Sequence, residues 1–327
     1  MRCDQPLLMW RVGAVAVLLA ILTACGTVPP KPVWPDQILE LTEVPFFPQE
    51  KYQCGPAALA TVLTASGHAS SPEALVGEVY VPARQGSLQA EMLAAVRRTG
   101  HLPLILAPDF SALVDAVRAG YPVLVLQNLG VSWWPQWHYA VVVGMDPARQ
   151  KVVLRSGIEQ RKLQSIRSFM HTWARSQHWA MVVAQPNVVP DWAEMKSWLM
   201  AAQALVDSGG ADAGTEALEM ASEHWPDQAL PWLLLGNRRY QQGRWVAAAD
   251  AFHRAQLRDP GSVAASNNLA SVLIELGCPE QATEALDKAA SVSATNSLTR
   301  VLEQTRDELR RARSAGAVPC RWSTIGS

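Results

Sequence analysis

Hydrophobic and polar positions change rhythm three times along the chain. Residues 12–22, "VGAVAVLLAIL", form an unbroken apolar run, shorter than the roughly 20 residues that a bilayer-spanning helix needs. Between about 40 and 186 the apolar positions switch between the helical and the extended period. Ser71-Pro72 sets a capping hydroxyl before a proline at the first helical position, and Ser87 opens a second helix that stops at Gly100. "LPLILAP" (102–108) predicts a strand, "FSALVDAVRAG" (110–120) a helix closed by Gly120, and "YPVLVLQ" (121–127) a buried strand. "HYAVVVGM" and "KVVLRSG", joined by "DPARQ", predict a hairpin. A helix near 165–176 and the strand "HWAMVVAQ" complete an α+β domain over residues 40–186, helix-rich first and strand-rich later.

Past residue 193 the extended period disappears and a repeat sets in. Gly209, Gly243 and Gly277 recur every 34 residues, as do Leu218, Phe252 and Leu286, and Ala221, Ala255 and Ala289. The middle unit carries Trp232, Leu235 and Gly236, then Ala248, Phe252, Ala255 and Pro260. This pattern resembles the tetratricopeptide repeat, with Arg239 standing where an aromatic is usual. The resemblance implies an all-α array of three repeats over residues 193–296 and a protein partner for it. A capping helix and tail fill 297–327. Each repeat contacts mainly its neighbours, so the array is expected to fold without the first domain.

Composition narrows the function. Across 327 residues the formal net charge is −1, with 28 Lys and Arg against 29 Asp and Glu. No basic stripe interleaves with aromatics, so no nucleic-acid partner is implied. No Cys/His cluster has metal-ligand spacing and no Gly-rich phosphate loop appears, so neither metal nor cofactor is expected.

The apolar run at 12–22 ends in Leu22-Thr23-Ala24-Cys25. This resembles the lipobox of bacterial lipoproteins, which implies a signal peptide over 1–24 and a lipid on Cys25. Residues 25–39, rich in proline, suit an extended tether. No Asp follows Cys25, which by the same likeness points to the outer membrane, with the protein facing the periplasm. Disulfides are permitted there, and Cys278 and Cys320 are available to pair, although spacing alone does not show it.

With Cys3 inside the expected signal peptide, the cysteine left over lies in "QEKYQCGPAALATVL", where a polar loop becomes an apolar helix. A helix N-terminus favours negative charge, so Cys54 there is expected to have a lowered pKa and to act as a nucleophile. Gln49, five residues upstream, is placed to share a substrate oxygen with the Cys54 backbone N–H. His138 begins the predicted strand "HYAVVVG" and is the candidate base. The bland alternatives are a buried structural thiol at Cys54, a core histidine at 138, and a loop packed by Trp133, Trp134 and Trp137.

The segments around Cys54 and His138 resemble the bacteriocin-processing (double-glycine leader) cysteine peptidases, over roughly residues 44–160. The likeness implies a papain-like cysteine peptidase domain with Cys54 as nucleophile, His138 as general base and acid, and Gln49 as oxyanion donor. Two departures stand out. The family's orienting Asp is replaced by Ser156-Gly157, so Ser156 is the candidate third residue, and Asp146 in the hairpin turn is too far along the strand. The Gln-to-Cys interval is one residue short, leaving Gln53 as a rival to Gln49. The resulting expectation is a lipid-anchored peptidase acting on a peptide or protein through a Cys54 thioester. Its alternative is a catalytically weak or inactive peptidase-like scaffold that binds peptides and assembles an envelope complex.

Overall fold

A computed structural model describes residues 34–49, 53–131, 133–292, 296–314 and 319–323. Cys25 and the apolar run before it lie outside these residues. Seven strands form one antiparallel sheet: β1 (Leu39–Glu40), β4 (Leu102–Ile105), β5 (Val123–Asn128), β6 (Trp137–Asp146), β7 (Lys151–Ser156), β8 (Glu159–Ser165) and β9 (Ala180–Ala184). Their order is β4-β9-β5-β6-β7-β8, with β1 paired to the far end of β6. β2 (Tyr80–Val81) and β3 (Gly86–Ser87) make a separate small hairpin.

Alternation along the central strands gives the sheet two apolar faces. Leu124, Leu126, Tyr139, Val141 and Val153 pack under α1 (Cys54–Ala65), α2 (Pro72–Val79) and α3 (Gln89–Arg98). Val125, Ala140, Val142 and Leu154 pack under α4 (Phe110–Arg118) and α5 (Ile166–Ala174). Burial on both faces explains why β5 and β6 are almost continuously apolar. β8, "EQRKLQS", escaped the hydrophobic pattern because it is a polar edge strand, a composition that discourages pairing with other chains.

The helix signals differ in how they are used. Ser71 Oγ accepts the Ala74 N–H at 3.3 Å, as a helix cap should. Ser87 does not open α3. It belongs to β3, and Leu88 occupies the cap position without a side-chain hydrogen bond.

Six further helices form three antiparallel pairs: α6 (Met195–Asp207) with α7 (Ala211–His224), α8 (Ala229–Gln241) with α9 (Trp245–Arg258), and α10 (Val263–Glu275) with α11 (Pro279–Val292). The three recurring glycines end the first helix of each pair with φ of 97°, 71° and 73°, a left-handed turn that suits a residue without Cβ. A Cβ on Gly236 would come within 2.5 Å of the Phe252 ring, which sets how closely α8 and α9 approach. Arg239, in the aromatic's place, reaches Glu219 at 3.5 Å.

The repeats are not a loosely tethered module. Trp198, Leu199, Leu205 and Leu218 continue the core under β4 and α4, and Ser197 Oγ donates to the Ile105 carbonyl at 2.9 Å. The described residues from Trp34 onward form one compact unit. At the other end α12 (Asn296–Ser314) packs Leu302 and Leu309 onto the last pair. A disulfide joins Cys278 to Cys320, and Trp322 Nε1 donates to Asp250 Oδ1 at 2.8 Å.

Candidate active site

Cys54 is the first residue of α1 and the free cysteine among the described residues. The Gln53 carbonyl accepts the Ala57 N–H at 3.2 Å, so Gln53 works through its backbone, and its side chain caps nothing. Gly55 is needed because the β2–β3 hairpin presses on the helix end: a Cβ there would run into the Ser87 side chain. That contact leaves Ser87 Oγ buried without a hydrogen-bond partner.

The sulfur lies beside the N–H groups of Tyr139, Gly55 and Cys54 itself, each of which favours thiolate. Burial outweighs them and pushes the Cys54 thiol up. The lowered pKa expected from the helix terminus is therefore corrected. The backbone N–H groups favour the anion as anticipated, but loss of water costs it more.

His138 is the second residue of β6, opposite Gln127 of β5. Its Nε2 lies 2.8 Å from Ser156 Oγ at the end of β7. This hydrogen bond pairs the imidazole with the residue expected from the sequence as its third partner. Burial, and then the positive charge of Lys162 on β8, hold the imidazole down at about 4, so it rests neutral. Lys162 faces Leu154 across the β7–β8 ladder and pairs with Glu159 at 3.3 Å. Asp146 sits at the opposite end of β6, where Oδ1 accepts the Arg149 N–H at 3.0 Å.

Gln49 comes to the same place by a different route. Its N–H donates to the Gly157 carbonyl at 3.2 Å, and its side-chain nitrogen lies alongside Gly157. Buried Arg155 fixes the segment leading there: its guanidinium donates to the carbonyls of Val44, at 3.2 and 3.3 Å, and Thr42, at 3.3 Å. The structure thus gathers Cys54, His138 and Gln49 around one cleft of about 1290 Å³. Ser156 stands behind the imidazole, and Gln53 and Asp146 are not brought in.

Sequence reasoning missed two parts of this site. The β2–β3 hairpin carries too few apolar residues to register as strand. Lys162 lies on the unrecognised edge strand. Of the alternatives open for Trp133 and Trp134, a packed loop is the one their exposure argues against. Among the described residues no group of three His, Cys, Asp or Glu is arranged to hold a metal ion.

Residues 41–181 match the Peptidase_C39 like family, and residues 239–298 match the tetratricopeptide repeat. No curated protein sequence matches the chain significantly. Similar solved structures include a C39-like peptidase from Bacillus anthracis, 16% identical, covering 46% of this chain and 98% of its own with a TM-score of 0.39. The type III secretion chaperone SycD of Yersinia enterocolitica, in complex with a peptide of the translocator YopD, is 14% identical and covers 38% and 98% with a TM-score of 0.35. The O-GlcNAc transferase of Thermobaculum terrenum is 25% identical and covers 40% and 24% with a TM-score of 0.33. Residues 41–181 of this chain are a Peptidase_C39-like domain, and tetratricopeptide repeats follow it.

Proposed function

We propose that the protein is a cysteine peptidase of the bacterial envelope that cleaves a peptide or protein through a thioester on Cys54. The observation that carries this reading is the convergence of Cys54, His138 and Gln49 on one cleft at a helix N-terminus. With His138 Nε2 turned to Ser156, Nδ1 is the nitrogen left to take the thiol proton. Cys54 Sγ attacks the scissile carbonyl carbon as its proton passes to His138. The Cys54 N–H and the Gln49 side-chain amide hold the developing oxyanion. His138 then gives that proton to the leaving nitrogen as the C–N bond breaks. Water, deprotonated by the same imidazole, attacks the thioester and restores the thiol.

The resting pair is neutral, so the proton moves within the chemical step and turnover is slow beside that of a preformed thiolate. This same feature supports a second reading, a peptidase-like domain that binds peptides without cleaving them. Mass spectrometry of peptide mixtures incubated with wild type, Cys54→Ala and His138→Ala separates the two. Cleavage lost in both variants supports the peptidase; no cleavage by wild type supports the binding domain.

We also propose that lipid on Cys25 anchors the protein to the outer membrane facing the periplasm, and that the repeats hold a protein partner. The Cys278–Cys320 disulfide supports an oxidising compartment. Unchanged membrane fractionation of Cys25→Ser would sink the anchor.

A further inference from the structure

We propose that the rim of the Cys54 cleft selects an extended, acidic peptide segment bearing bulky apolar side chains. Trp134 and Trp137 supply the apolar platform, with exposed Trp133 adjoining Trp134, and Arg84 the counter-charge. This deepens the reading of the cleft as a substrate site and rests on it.

The three indoles are 83%, 67% and 52% exposed, although tryptophan is the side chain that gains most area by burial. Their loop is nonetheless tied. Asn128 Oδ1 accepts the N–H groups of Gly130 at 3.0 Å and Gln136 at 2.9 Å, and the Leu129 N–H donates to the Gln136 carbonyl at 2.9 Å. Val131 and Trp134 exchange two backbone hydrogen bonds, and Arg175 donates to the carbonyls of Asn128 and Gly130. A Cβ on Gly130 would collide with the Trp134 carbonyl, so the turn is built around glycine. Rigid, exposed aromatics lose little entropy when covered, which is what an interaction anchor requires.

Charge and shape choose the occupant. Trp134 and Trp137 line the concave cleft with Cys54, where a peptide fits and a flat bilayer does not. The charged side chains of the lining are Arg84 and Arg175, with no Asp or Glu among them. Arg175 is engaged with the loop carbonyls, whereas exposed Arg84 makes no ion pair among the described residues.

The test measures binding of fluorescent peptides to full-length Cys54→Ala, which keeps the cleft and stops turnover. One peptide alternates Glu with Leu and Phe, a second replaces Glu by Lys, and a third replaces the apolar residues by Ser. The first should bind at least about tenfold tighter than either other, and Trp134→Ala or Trp137→Ala should each lose about tenfold. Arg84→Glu should favour the lysine peptide. Thermal melts confirm that the variants fold. Equal binding of the three peptides, or indifference to the tryptophan substitutions, overturns the proposal. So does a loss confined to phosphatidylglycerol vesicles, which would make the loop a membrane contact. Selective binding without cleavage by wild type would sink the peptidase and leave this inference standing. Cleavage indifferent to Trp134 would do the reverse.

Discussion

His138 Nε2 and Ser156 Oγ meet at 2.8 Å, and the pairing fixes the imidazole's position without fixing its proton. A carboxylate there would only accept, holding the proton on Nε2 and leaving Nδ1 as a base. A hydroxyl both donates and accepts, so either tautomer satisfies it. Lys162 adds positive charge where a carboxylate would have supplied negative. The site keeps its geometry and loses much of its electrostatic drive.

Ser156→Asp should restore that drive. A carboxylate in contact with an imidazole raises its pKa by about 1–3 units, lifting His138 from about 4 toward the neutral range. Turnover should rise while Ser156→Ala changes it little. An NMR titration of the His138 ring beside peptide-cleavage rates checks both; an unmoved imidazole in Ser156→Asp would show that the new carboxylate does not reach it.

The same burial links stability to pH. An unfolded histidine titrates near 6.5, whereas folded His138 titrates at about 4. Between those values the unfolded chain binds a proton that the folded protein does not. Its contribution is therefore complete above about 6.5 and lost as pH falls, on the order of 3 kcal/mol by pH 4. Urea unfolding of wild type and His138→Gln across this window should give curves that converge or diverge by that amount. Parallel curves would mean that the imidazole is not the linked group.

Residues 193–327 expressed alone should be helical yet less stable than in the intact chain. Repeat spacing points to independent folding, while Leu199 and Leu205 belong to the core that continues from the sheet. Circular dichroism melts and binding of an apolar dye report the difference. A fragment melting with the intact protein and binding no dye would contradict the shared core.

Reducing the disulfide should loosen the tail before anything else. Cys278 and Cys320 are 42 residues apart, a loop whose closure is worth about 2–4 kcal/mol. Cys320→Ser should expose the Trp322 indole now held by Asp250. Hydrogen exchange across residues 279–292 and 319–323 checks it, and unchanged protection would rule the staple out as a stabiliser.

Much of this was legible because strong periodicity and buried apolar runs leave few alternatives. Strands β5, β6 and β7 and the repeating pairs fall where the pattern puts them, as do Cys54 and His138 on the elements expected. The failures share a cause. Ser87 looked like a helix cap because local hydrogen-bonding chemistry favours that use, and strand pairing with Tyr80 decided otherwise. The Cys54 thiol was misjudged for the same reason: a helix terminus is visible in sequence, whereas the depth of burial that opposes it is set by residues distant along the chain.

The pH dependence of Cys54 alkylation by iodoacetamide tests the neutral resting pair most directly. A neutral pair should give a midpoint above the free-thiol value of about 8.5, because burial raises the thiol, with His138→Ala leaving the curve nearly unchanged. A midpoint well below that value which climbs when His138 is removed would reveal a thiolate–imidazolium pair and contradict it.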